Sequence, residues 1–115
     1  MYCDLLNIIF DAVFQGKCTC GMQKYAQWFN EEKEVFVVNC TNSNFKENTT
    51  MLAQLPHQTE VLLFNGNKIP YLDWNIFGVW DDHKNLTIVD LTNNQIEDID
   101  GKAFHKVKYG NNRFL

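Results

Sequence analysis

The sequence predicts a short α/β-type solenoid, with parallel β-strands on a concave face, loops and short helical turns on the convex side, and a cap over its amino-terminal end. Three observations predict it. Sliding the chain against itself brings two segments into phase at a shift of 27 residues. Each segment opens with a short β-like run and continues through an asparagine locked in phase with apolar positions. The cysteines are confined to the region before those segments.

Composition sets the outer limits. At 115 residues, with 45% hydrophobic and 21% charged residues, the chain has room for one globular core. A net charge of -4 with scattered Lys and Arg excludes nucleic acid as a partner, because phosphate binding needs clustered basic residues. Positions 1–17 read as a degraded signal-like leader. Leu5 to Phe14 is apolar like a signal-peptide core, but Asp4 and Asp11 interrupt it and no Lys or Arg precedes it. A helix of the folded domain is the other reading of this stretch. No apolar run approaches the roughly 20 residues that span a bilayer, so a membrane anchor would lie in sequence outside this chain.

Positions 18–56 read as a cysteine-rich cap. Cys3, Cys18, Cys20 and Cys40 are many cysteines for so short a chain and suggest a local staple. Asn39-Cys40-Thr41, Asn48-Thr49-Thr50 and Asn85-Leu86-Thr87 each satisfy the acceptor pattern for N-glycosylation. Cysteines and sequons together point to an oxidising compartment, and so to an extracellular protein, secreted or on the cell surface. Free thiols in a cytosolic core are the alternative. A zinc site would show two close pairs of ligands, whereas Cys18 and Cys20 form one pair beside two isolated cysteines. His57, His83 and His105 lie outside the cap at no ligand-like spacing and read as loop or surface residues. No metal and no cofactor is expected.

Positions 57–115 read as repeats, about two complete and a third shortened. The shift aligns Leu62 with Val89, Phe64 with Leu91, Asn67 with Asn94, Ile69 with Ile96, Leu72 with Ile99, Asp73 with Asp100 and Phe77 with Phe104. Val61–Asn65 and Ile88–Thr92 are predicted strands whose alternate side chains face opposite ways, sending Leu62, Phe64, Val89 and Leu91 inward. The chain must then turn sharply, and the turn leaves backbone amides and carbonyls out of reach of water. Asn67 and Asn94 supply what such a turn lacks. An amide side chain has two donor hydrogens and an acceptor oxygen, so stacked asparagines can bond their own turn and the adjacent one. Ile69 and Ile96 then re-enter the core, and Leu72, Ile99, Phe77 and Phe104 fill the convex side.

These residues carry a family resemblance. Leu86-Thr-Ile-Val-Asp-Leu-Thr-Asn-Asn-Gln-Ile96 resembles the leucine-rich-repeat consensus L-x-x-L-x-L-x-x-N-x-L. Ile99-Asp-Gly-Lys-Ala-Phe104 resembles the second half of the repeat in extracellular members, and Thr59 to Ile69 is similar more loosely, with Thr59 in place of the first Leu. Extracellular members open with a cap of the LRRNT type. It bears C-x-C, a strand ending in a further Cys and a Leu-Pro step, matched here by Cys18-Thr-Cys20, Val35-Phe-Val-Val-Asn-Cys40 and Leu55-Pro56. Such a cap covers the end of the first coil, which has no neighbour to pair its strand edge. The resemblance runs roughly from Cys18 to the end and implies a leucine-rich-repeat horseshoe in which Cys18 pairs with Cys40 and Cys20 with an upstream cysteine. Cys3 is the upstream cysteine present, farther from the C-x-C than is usual in the family. The third repeat departs from the pattern. Val107, Tyr109, Asn112 and Phe114 match its second half, yet Asn112 follows Asn94 by 18 residues, against about 20 to 29 in known repeats. A coincidental match and a loss of residues both fit, and the chain stops without a carboxy-terminal cap.

Catalysis is not expected. No nucleophile sits in a recognisable motif and no Gly-rich phosphate loop is present, while Asp81-Asp82 and Glu31-Glu32 read as solvated surface. Binding is what remains. Side chains alternating with the buried ones would line the concave face, namely Val61, Leu63 and Asn65, then Ile88, Asp90 and Thr92. The aliphatic members of that set predict a contact surface for a protein partner. The predicted function is therefore an extracellular protein-binding module, the amino-terminal part of a receptor or adhesion ectodomain. A secreted, non-catalytic binding or regulatory subunit is the alternative, and a downstream apolar run of roughly 20 residues would separate the two. A cytosolic leucine-rich-repeat interaction protein is the third reading, and it predicts free thiols and unmodified sequons.

Overall fold

A computed structural model describes residues 13–25, 33–46, 50–78 and 83–104. Its elements in chain order are β1 (Thr19–Tyr25), β2 (Lys33–Asn39), a 3-10 helix (Thr50–Gln54), β3 (Val61–Leu63), β4 (Tyr71–Leu72), β5 (Ile88–Asp90) and β6 (Asp98–Ile99). The principal sheet has the order β1-β2-β3-β5, and β4 pairs with β6 in a second sheet. β1 runs antiparallel to β2, from Thr19 opposite Asn39 to Tyr25 opposite Lys33. β2, β3 and β5 are parallel to one another.

Two offsets organise the parallel strands. Val61, Leu62 and Leu63 face Ile88, Val89 and Asp90, and the same spacing of 27 separates Glu60 from Thr87, whose hydroxyl donates to the Glu60 carbonyl. Between β2 and β3 the pairing of Val37 with Val61 continues into a contact between Thr41 and Asn65 at a separation of 24. Backbone bonds carry the ladder past the strand ends: Cys40 N–H donates to Leu63 (2.7 Å), Asn42 to Asn65 (2.9 Å), Phe64 to Asp90 (2.8 Å) and Gly66 to Thr92 (3.0 Å). Parallel pairing of such short strands is weak alone, so these bonds into the turns help to hold the register.

Each of the three parallel strands of the principal sheet is followed by a left-handed residue. Asn42 (φ 52), Gly66 (φ 75) and Asn93 (φ 58) occupy corresponding positions after β2, β3 and β5. Asparagine and glycine are the residues that adopt this conformation at low steric cost. A Cβ on Gly66 would also overlap the side-chain oxygen of the exposed Asn42, which would have to swing aside.

The sheet is buried on both faces at one end. β2 has four consecutive buried residues, Val35 to Val38, the apolar run expected of a strand covered on both sides. Phe36, Val38, Leu62, Phe64, Val89 and Leu91 point into the main core, where Phe45 stacks on Phe64 with ring centroids 5.4 Å apart. Val35, Val37, Val61 and Ile88 form a second cluster on the opposite face. On the far side of the main core, Leu72 and Ile99 lie in β4 and β6, a parallel pair standing where loops and short helical turns are predicted. Tyr71 and Ile99 are aromatic and β-branched, types that favour a strand. Phe77 packs against Phe104 behind them, with centroids 5.6 Å apart.

Packing begins before residue 18: Phe14 is fully buried in the main core. Among the described residues no helix is long and apolar enough to cross a membrane. The predictions concerning Cys3, Asn48, His105, the pairs Glu31-Glu32 and Asp81-Asp82, and the shortened third repeat at 107–115 lie outside the described residues.

Candidate functional site

The two asparagines occupy the turns after β3 and β5 and are almost wholly buried. Asn67 Oδ1 accepts the backbone N–H of Ser43 and of Phe45, both at 3.0 Å. Its Nδ2 donates to the carbonyls of Cys40 (2.9 Å) and Phe64 (3.0 Å). Asn94 Oδ1 accepts from Ile69 N–H at 3.2 Å, and its Nδ2 donates to Phe64 (2.9 Å) and Leu91 (3.0 Å). Each asparagine therefore bonds the turn it stands in and the turn before it. Ser43 holds the corresponding place after β2, where its hydroxyl donates to the carbonyl of Lys17 at 3.2 Å.

Cys18 and Cys40 form a disulfide with Cα atoms 4.5 Å apart, joining the residue before β1 to the residue after β2. Cys40 is completely buried and takes the inward position held by Phe64 and Leu91 in the later strands. Cys20 is also disulfide-bonded, and the Cys3 predicted as its partner falls outside the described residues. Among the described residues no group of three or more His, Cys, Asp or Glu is arranged to hold a metal ion.

The face opposite the main core divides into three rows across the sheet. The first, Val37, Val61 and Ile88, is buried. Val61 and Ile88, expected on the contact face, are instead buried with Val35 and Val37 in an apolar cluster. The second row, Asn39, Leu63 and Asp90, is half-buried. The third, Thr41, Asn65 and Thr92, is half-buried as well, and Thr41 Oγ1 donates to Asn65 Oδ1 at 3.0 Å. Asp90 Oδ1 accepts from Thr92 N–H (3.0 Å) and Thr92 Oγ1 (2.7 Å). The accessible part of this face is therefore one aliphatic side chain, one carboxylate and a set of hydroxyls and amides. Asn39 and Thr41 were not predicted as members. The signal that finds them is the offset of 24, which aligns Val38-x-Cys40 with Leu62-x-Phe64 and Phe45 with Ile69.

Two of the sequons are within the described residues. Asn85 is exposed, and its Nδ2 donates to the carbonyl of His57 at 3.0 Å. Asn39 is half-buried in β2, and its Oδ1 accepts from Thr41 N–H at 3.0 Å.

Among the histidines, His57 is exposed as predicted for a loop residue, but His83 is 2% exposed. It is held inside by a 3.0 Å bond from Nε2 to the carbonyl of Phe77 and by an edge contact with the Phe77 ring. A carbonyl only accepts, so Nε2 carries the hydrogen.

Thr59 stands one offset before Leu86, in the place of the first Leu of the motif. It is 2% exposed, and its hydroxyl is buried without a hydrogen-bond partner. Burying such a group costs free energy that an apolar isostere avoids. Thr59→Val is expected to raise the unfolding free energy by about 1 kcal/mol, read as a higher urea midpoint at unchanged m. An unchanged or lower midpoint would mean that the hydroxyl is satisfied in solution.

No protein-family model, no curated protein and no solved structure matches this chain.

Proposed function

We propose that this chain is an extracellular, non-catalytic protein-binding module of the leucine-rich-repeat type, the amino-terminal part of a receptor or adhesion ectodomain. The observation that carries the reading is the buried Asn67 and Asn94 relay, in which each amide side chain ties one strand turn to the preceding one. That arrangement joins successive coils laterally, the mode of cohesion of a stacked array. The Cys18–Cys40 bond supports an oxidising compartment, where such bonds persist. Its place beside the first coil suits a cap that shields an otherwise open end.

The contact surface in this reading is the open end of the sheet face, centred on Leu63 and Asp90 and flanked by Asn65 and Thr92. An apolar side chain of the partner would seat on Leu63 and a Lys or Arg would meet Asp90, a small apolar centre with a polar rim. The test is saturable binding of labelled, secreted protein to cells, competed by excess unlabelled protein. Leu63→Glu is expected to weaken binding at least about tenfold, the loss of one central contact of roughly 1.4 kcal/mol, while leaving the circular dichroism spectrum unchanged. Saturable binding that ignores both Leu63→Glu and Asp90→Lys would remove this face from the reading.

A further inference from the structure

We propose that Asn85 carries an N-linked glycan while Asn39 stays bare, so that sugar stands at the leading end of the sheet and the half-open rows at its trailing end remain clear. The inference rests on the extracellular reading above, and it separates two sequons that the sequence alone treats as equivalent.

Asn85 lies in an exposed turn three residues before β5 begins. Its one side-chain bond, from Nδ2 to the His57 carbonyl, is itself at the surface. In the transfer, Nδ2 attacks the anomeric carbon of a lipid-linked oligosaccharyl diphosphate. The bond from that carbon to the diphosphate oxygen breaks, the diphosphate leaves with the electron pair, and Nδ2 loses one proton. The modified nitrogen keeps one N–H with which to meet the His57 carbonyl. Folding around the glycan therefore requires no buried group to move.

Asn39 differs in every respect. It sits in a central strand, opposite Thr19 of β1 on one side and Leu63 of β3 on the other. Its side-chain oxygen is engaged by Thr41 N–H, and the Thr41 hydroxyl, the group that defines the sequon, donates to Asn65. The middle residue of the same sequon is Cys40, completely buried and bonded to Cys18. Cys18 precedes Cys40 in the chain, so it has already been translocated when Cys40 emerges. Oxidation of the two thiols by a disulfide oxidant of the secretory pathway, which takes two electrons as two protons leave, then closes the sequon. By strand alternation Asn39 also shares a face with Leu63 and Asp90, where a glycan would cover the contact surface.

The experiment is site-resolved glycan mapping of the chain secreted from eukaryotic cells, with alkylation before reduction to read the Cys18–Cys40 bond. Asn85→Gln is expected to remove one glycan and Asn39→Gln none. Cys18→Ser, which leaves the Asn39 sequon intact, is expected to make Asn39 newly modified, and cell extracts report this even if the variant is not released. A bare Asn85, or a modified Asn39, in secreted protein whose Cys18–Cys40 bond is protected would overturn the inference and leave the extracellular reading standing. Asn39 remaining bare in Cys18→Ser would overturn the shielding by the disulfide. Alkylatable Cys18 and Cys40 in the wild-type protein would overturn the extracellular reading and this inference together.

Discussion

Asn67→Ala is expected to lower the unfolding free energy by about 4 kcal/mol, a large share of the stability of a domain this small. The side chain makes four hydrogen bonds to backbone groups, and their fates on truncation differ. The Phe64 carbonyl keeps a partner, because Asn94 Nδ2 also donates to it at 2.9 Å. The amides of Ser43 and Phe45 and the carbonyl of Cys40 lose the bonds that Asn67 provides. Ser43 is half-buried and within reach of water, while Phe45 and Cys40 are buried. An unsatisfied buried group costs about 1 to 3 kcal/mol, so two full penalties and one partial one give the estimate. Asn67→Asp isolates the donor half. It keeps the acceptor for Ser43 and Phe45 but turns a carboxylate oxygen toward two carbonyls, so at neutral pH it is expected to be no more stable than the alanine variant. Chemical denaturation measures both, and a loss under about 1 kcal/mol for Asn67→Ala would mean that water replaces the amide.

That amide was legible in the sequence for a physical reason. A buried turn needs both donors and acceptors, few side chains offer both, and Asn67 and Asn94 recur in phase with Leu62 and Val89 at an offset that is also their pairing offset. The turn before them, after β2, was not legible by the same means. There the offset is 24, Ser43 replaces the asparagine and Cys40 replaces the aromatic or aliphatic residue that ends the strand. Both identity and spacing change at once, so a search at 27 passes over it. The amides of Ser43 and Phe45 still reach Asn67, which lets the turn after β2 join the turn after β3 without an asparagine of its own.

The alternation of the sheet face was legible, and its burial was not. Alternation correctly separates Val61, Leu63 and Asn65 from Leu62 and Phe64, but alternation assigns a face and says nothing about what covers it. Val37, Val61 and Ile88 align in one row and are buried. Three consecutive aliphatics across a sheet are a hydrophobic strip, and folding removes such a strip from water at a gain of about 25 cal/mol per Å². The residues left accessible are those one and two rows on, where Asn39, Asp90, Thr41 and Thr92 make covering without hydrogen-bond partners costly. The accessible part of this sheet face is therefore marked by its polar residues, with Leu63 as the single aliphatic side chain among them.

The second large effect concerns the bond at the other end of the sheet. Replacing Cys18 and Cys40 together by alanine is expected to cost about 3 kcal/mol, the loop-closure value for a separation of 22 residues. The β1–β2 hairpin does not reduce this figure. Its strands hold Cys18 and Cys40 close in the folded state, but the entropic term counts only the freedom that the cross-link removes from the unfolded chain. Native packing adds to the loss, since Cys40 fills an inward position that alanine fills only in part. The entropic origin has its own signature. An unfolded chain without the cross-link is less compact and exposes more surface, so m should rise as the urea midpoint falls. A midpoint that falls at constant m would assign the loss to packing around Cys40, and Cys18→Ala/Cys40→Val, which restores volume without the bond, would then recover most of it. With the cross-link as the main term, the valine variant recovers little, and the segment spanning β1 and β2 depends on oxidation for its stability.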